Sequence, residues 1–151
     1  MSPNGTLIID NSGSLWGEAG GGEMTHNQYG GVVYSWKILE NVMHTFCVAK
    51  NCTDGQTPSG GLMIDANNNI FGVTIGGQGA KTNGTIFEFV GANTFNTLHA
   101  FCGNNDHCTL GEFPSGDLIA DGSGNLFGTT GSGGANSHGN PGGTIFELIS
   151  D

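Results

Sequence analysis

The residues of this chain that could do chemistry are few: five histidines, thirteen acidic residues and four cysteines. Catalysis needs a nucleophile or an acid/base pair held within hydrogen-bond reach. No G-x-S-x-G elbow, P-loop, G-x-G-x-x-G or H-E-x-x-H pattern supplies one. A polysaccharide-cleaving pair drawn from Glu18, Asp54 and Glu112 would need carboxyl groups roughly 5 to 9.5 Å apart, which chain spacing does not establish. His44 and His99 hold equivalent places ahead of Cys47 and Cys102. Lying in neighbouring units, they could hardly share a metal at bonds of about 2.0 Å, so both read as structural strand residues. Asp65-Ala66-Asn67-Asn68-Asn69 and Asp121-Gly122-Ser123-Gly124-Asn125 echo the opening of a calcium loop. The EF-hand pattern, however, wants Gly at position 6 and Glu at position 12, where these copies have Ile70 or Leu126 and Gly76 or Ser132. A hairpin turn whose Asp accepts backbone N–H groups explains them better, and no metal or cofactor is expected.

The cysteines form two local pairs, Cys47 with Cys52 and Cys102 with Cys108, each behind a similar frame, His44-Thr45-Phe46 and His99-Ala100-Phe101. That recurrence favours local disulfides over the other pairings four cysteines allow. Free or metal-bound thiols are the alternative, but zinc sites favour C-x2-C spacing with further ligands at matching distances. Loops this short limit the entropic gain to roughly 2 kcal/mol each. Disulfides imply an oxidising compartment, hence an extracellular or cell-surface protein.

Three Lys+Arg against thirteen Asp+Glu give a net charge of -10. Binding a phosphate backbone or an anionic membrane would work against that field. No apolar run approaches the ~18 residues of a spanning helix, and no export signal is read at the N-terminus. Charged residues make up only 11% of the chain, and there are 29 glycines. These glycines follow no G-X-Y period and separate short apolar blocks, so the composition means many turns in a folded chain.

The elements that must position these residues come in tandem. Leu7-Ile8-Ile9-Asp10 returns as Leu62-Met63-Ile64-Asp65 and Leu118-Ile119-Ala120-Asp121; Leu15-Trp16-Gly17 returns as Ile70-Phe71-Gly72 and Leu126-Phe127-Gly128. Gly31-Val32-Val33-Tyr34 returns as Gly84-Thr85-Ile86-Phe87 and Gly143-Thr144-Ile145-Phe146. A fourth landmark, Val42 to Cys47, recurs only once, at Thr97 to Cys102. The unit of about 55 residues lies in the range of propellers and solenoids. We place one repeat domain over 1–151, with units at 3–57, 58–113 and 114–151, the last lacking its final strand.

Each landmark is a short β-branched, aromatic or aliphatic run bounded by turn residues, which reads as a strand, and nothing holds a helical period. The fold class is all-β and β-propeller-like, in three tandem four-stranded antiparallel blades, the third incomplete. Trp16, Phe71 and Phe127 with Tyr34, Phe87 and Phe146 should form the layers between blades. Three blades fall short of the four to eight of a closed propeller, so a homo-oligomer is expected, as a two-chain six-bladed ring or a filament. The glycine-rich loops between the second and third strands are the candidate binding surface, with His26, Tyr29, Lys81, Asn83, His138 and Asn140 suited to a neutral ligand such as a glycan. Long plain connectors are the competing reading. N-x-[ST] sequons begin at Asn4, Asn51 and Asn83.

The pattern Pro58-Ser59-Gly60-Gly61-Leu62, Asp65, Asn69-Ile70-Phe71-Gly72, Gly76-Gly77 and Gly84-Thr85-Ile86-Phe87 resembles the GloVer-type tandem repeat of bacterial surface and secreted proteins. The third unit fits through Gly124-Asn125-Leu126-Phe127-Gly128-Thr129-Thr130 and Gly143-Thr144-Ile145-Phe146-Glu147-Leu148. The first departs most, with Glu18-Ala19 for the Thr-Thr pair and Met24 to Tyr29 filling its loop. The resemblance implies a propeller-like repeat and no shared activity. The expected function is therefore a non-enzymatic extracellular module for binding or assembly, with a purely structural self-assembling fragment of a longer propeller as the alternative and a polysaccharide-acting enzyme as a third reading.

Overall fold

A computed structural model describes residues 2–25, 28–48, 51–76, 83–91, 93–102, 108–135 and 142–150, with the side chains of 22–29 outside that description. All its regular elements are strands. The first sheet has the order β1 (Ser2–Ile9), β2 (Leu15–Thr25), β3 (Gln28–Trp36), β4 (Glu40–Phe46). The second repeats it with β5 (Pro58–Ile64), β6 (Ile70–Thr74), β7 (Thr85–Val90) and β8 (Thr94–Ala100). The third has three strands, β9 (Glu112–Ala120), β10 (Leu126–Ser132) and β11 (Ile145–Leu148), with β10 in the middle. Every neighbouring pair is antiparallel. These are propeller-like blades of four, four and three strands, with β5 packed between β1 and β9 on the inner edge.

The first strand of each blade is longer than its apolar landmark suggests. Pro-x-Gly reads as a boundary, yet β1, β5 and β9 run through Pro3, Pro58 and Pro114. Gly5, Gly60 and Gly116 take φ of +74°, +99° and +85°, and the pairing register shifts beside each. These are bulges, which only glycine makes without strain. They also let the inner strands touch. A Cβ on Gly5 would sit on the carbonyl oxygen of Gly60, and one on Gly60 would lie 2.5 Å from that of Gly116.

Alternation along each strand gives every blade two apolar faces. On one, the leucine of the first strand and the aromatic of the third fold over the glycine of the second: a Gly17 Cβ would lie 2.7 Å from Leu7 and 2.6 Å from Tyr34 Oη, and Gly72 and Gly128 are overlaid likewise by Leu62 and Phe87 and by Leu118 and Phe146. We call this the back face. The opposite, front face carries the second-strand aromatic, Trp16 or Phe71. Each core layer joins one blade's front to the next blade's back. The first contains Trp16, Val33 and Phe46 against Leu62, Ile70, Phe87 and Phe89. The second contains Phe71, Val73, Ile86 and Phe101 against Leu118 and Leu126. Of the expected aromatics, Trp16, Phe71, Phe87 and Phe146 thus lie in these layers, the first two on fronts and the last two on backs, whereas Tyr34 and Phe127 lie in neither: they are half-buried on the outer back of the first blade and the outer front of the third. Each layer also holds a tilted aromatic pair, Phe46–Phe87 at 5.2 Å and Phe101–Phe146 at 5.3 Å between centroids.

Candidate functional site

Four of the polar residues singled out by sequence, His44, Asp54, Asn83 and Glu112, lie at the joints between blades. After β4 the chain forms a loop closed by a Cys47–Cys52 disulfide. Asp54 anchors it: its carboxylate lies 2.9 Å from His44 Nε2 and accepts the Cys47 amide at 3.2 Å. His44 stacks flat on Phe95 of the next blade, 3.7 Å between ring centroids. The loop is tied forward too. Thr85 Oγ1 donates to the Asp54 carbonyl at 3.3 Å and pairs with Thr74 Oγ1 at 2.8 Å, while Ile75 and Gly76 donate amides to the carbonyls of Thr57 and Gln56.

The second joint repeats this with different side chains. Cys102–Cys108 closes its loop, and Glu112 takes the anchoring role that Asp54 has in the first. Its Oε2 accepts from Asn83 Nδ2 at 2.6 Å and lies 3.3 Å from Cys108 Sγ. Thr144 Oγ1 donates to the Leu110 carbonyl at 3.0 Å and pairs with Thr130 Oγ1 at 2.9 Å. Among the described residues, Cys102, Cys108 and Glu112 bring one ligand atom each within 4.8 Å of one another. With the two sulfurs bonded to each other, neither is the thiolate a metal requires.

The recurring aspartates are spent on hairpins. Asp10 accepts the amides of Ser12 and Ser14, Asp65 those of Asn67 and Asn69, and Asp121 those of Ser123 and Asn125, all at 2.7–2.9 Å. The other oxygen takes Trp16 Nε1, Asn69 Nδ2 or Asn125 Nδ2. Burial works to raise the Asp10 carboxyl, but the donors from Trp16, Ser12 and the backbone outweigh it and hold it at about 2. Asp121 is likewise held low by its amide donors against desolvation.

Of the loop residues proposed for binding, His26, Lys81, His138 and Asn140 lie outside the described residues, as does the side chain of Tyr29. Asn83 is engaged at the second joint, where its amide also donates to the Phe101 carbonyl and its carbonyl accepts the Phe113 amide. Glu18, Asp54 and Glu112 do not form one constellation: Asp54 and Glu112 anchor different joints, and Glu18 is fully buried, with both carboxyl oxygens unpartnered. Burial, with the Asp117 charge adding to it, pushes the Glu18 carboxyl up to about 8. The equivalent places in the next blades are Val73 and Thr129. An acid where the next two blades carry uncharged β-branched residues was the sequence signal for an unusual carboxyl.

Sequence reasoning missed the outer back face of the first blade. There Pro3, Ala19, Val32, Tyr34, Trp36 and Glu40 line a cavity of about 340 Å³. Tyr34 and Trp36 occupy the places of Phe87 and Phe89, both fully buried in the second blade.

Among the described residues no helix is long and apolar enough to cross a membrane. No curated protein matches the sequence. Among solved structures, one provisionally assigned as a gluconolactonase aligns at 17% identity with a TM-score of 0.48, over 87% of this chain and 42% of that one. The chain therefore spans less than half that protein's length, and a likeness this slight has no bearing on activity. A repeat-family model matches residues 1–151, in keeping with the landmarks and blades above, and the chain belongs to the Gloeobacter/Verrucomicrobia repeat family.

Proposed function

We propose that the chain is a non-catalytic module of the cell exterior that works through its surfaces, in assembly. The observation that carries this reading is the use made of its chemically able side chains. His44, Asp54, Asn83, Glu112 and the threonine pairs are engaged in fastening one blade to the next, and the recurring aspartates in shaping hairpins. Two disulfides fit an oxidising compartment. A second reading, glycan binding, is favoured by one feature: the groove with Tyr34, Trp36 and Glu40 sets aromatic rings beside an acid.

Incubation with neutral polysaccharides and sugar lactones, read for both turnover and retention, tests the proposal. No turnover above the buffer rate is expected. Turnover that disappears in Asp54→Asn, Glu112→Gln or Glu18→Gln would overturn it, and retention lost in Trp36→Ala would favour the glycan reading.

A further inference from the structure

The two outermost blade faces are halves of the joint that the molecule already makes twice internally. On the back face, Leu62 and Leu118 are 5% and 3% exposed, whereas their equivalent Leu7 is 58% exposed. Trp36 is 49% exposed where Phe89 is fully buried, and Ile9 is open beside it. On the front face, Val33 and Ile86 are 0% and 1% exposed, whereas their equivalent Ile145 is 84% exposed, with Ile119 also open. The inner edge repeats the contrast. Gly5 and Gly60 each abut the next blade's glycine carbonyl, while a Cβ on Gly116 would meet nothing within 4 Å. One molecule therefore presents an unused front, on its third blade, and an unused back, on its first. Burial of such apolar surface drives association.

We infer that the occupant of each face is a second copy of this chain, packed head to tail so that the front of β9–β11 covers the back of β1–β3. This rests on the assembly reading above and names its partner. The substitutions at the open back face agree with the pairing. At both internal joints a threonine pair receives a cysteine-loop carbonyl from the preceding blade, through Thr85 to Asp54 and Thr144 to Leu110. The first blade has Ala19 and Val32 in those places, without a donor. An apolar pair there meets apolar surface rather than a loop carbonyl, and the front of the third blade offers such surface in Ile145 and Ile119. Exposed Leu7 and Ile9 beside Tyr34 and Trp36 also make the face more aliphatic than a sugar platform, which presents rings and polar groups.

The test uses two full-length variants, Ile145→Glu, which charges the front, and Leu7→Glu, which charges the back. Both sites are exposed in the single chain, so circular dichroism and the urea midpoint should change little, while association of either variant with itself weakens at least ~100-fold. A head-to-tail joint has a specific signature: each variant alone is monomeric, and their equimolar mixture forms a one-to-one dimer through the remaining intact front and back. Dimers formed by one variant alone, or a mixture that stays monomeric while the unaltered chain associates, would overturn the pairing. An unaltered chain that stays monomeric at about 100 µM and is retained on a polysaccharide through Trp36 would also overturn it, yet leave the non-catalytic reading standing. Turnover of a sugar substrate would remove that reading instead.

Discussion

Replacing Glu18 by Gln should make this protein more stable, increasingly so as the pH rises. The side chain is fully buried between the first two blades, with neither oxygen hydrogen-bonded. Desolvation, with the Asp117 charge adding to it, moves its carboxyl from an ordinary 4.5 to about 8. Between those values the folded state keeps a proton that the unfolded chain has released, so stability is full below 4.5 and falls as the pH rises through about 8. At ~1.36 kcal/mol per decade the whole window amounts to about 5 kcal/mol, of which about 3 kcal/mol is already lost at pH 7. Gln keeps the shape and polarity of the protonated acid without the titration. Urea unfolding followed by the fluorescence of buried Trp16, at pH 4.5, 6, 7 and 8.5, should show the two proteins nearly equal at the first and separated by several kcal/mol at the last. A constant difference across the series, or a less stable Gln variant at pH 8.5, would refute a buried, unpartnered carboxyl.

Gly60→Ala should cost at least ~2 kcal/mol more than Gly116→Ala in chemical denaturation, because both face positive-φ strain but only the first meets a neighbouring carbonyl. Gly116→Ala should instead suppress self-association, read as a drop in mass by light scattering. Because Asp10 is held at about 2, its contribution to the first hairpin is full above 3.8 and lost only as the pH falls through about 2, so Asp10→Asn should flatten the acid limb of a stability profile in that window. Replacing Cys47 and Cys52 together by Ser should lower stability by about 2 kcal/mol, measured by urea midpoint, with the far-ultraviolet spectrum unchanged.

The strands, their order and the hairpins were legible because each rests on local pattern. A β-branched or aromatic run with a turn behind it is readable at Leu62-Met63-Ile64-Asp65, and the Asp that closes that turn bonds amides two and four residues away. The cysteine pairs were legible for the same reason. What hides from sequence is decided by the neighbouring blade. That Asp54 and Glu112 do one job at successive joints depends on what the next blade presents, and they are not equivalent in position. The threonine pairs look like ordinary strand residues until their loop carbonyls are seen. The Pro-x-Gly segments read as boundaries, since proline and glycine are disfavoured inside strands. Here the proline lies within the first three residues of each inner strand and the glycine makes a bulge. The open back face was unreadable because Tyr34 and Trp36 look like core aromatics, and only the place of their blade in the row exposes them.

The proposed self-assembly reuses the joint that the molecule makes twice between its own blades, and the mass of the unaltered chain in solution tests that most directly. Light scattering across a dilution series up to about 100 µM should give twice the 15.5 kDa of one chain for a ring, or a mass that climbs with concentration for a filament. A constant 15.5 kDa over the whole series would contradict it.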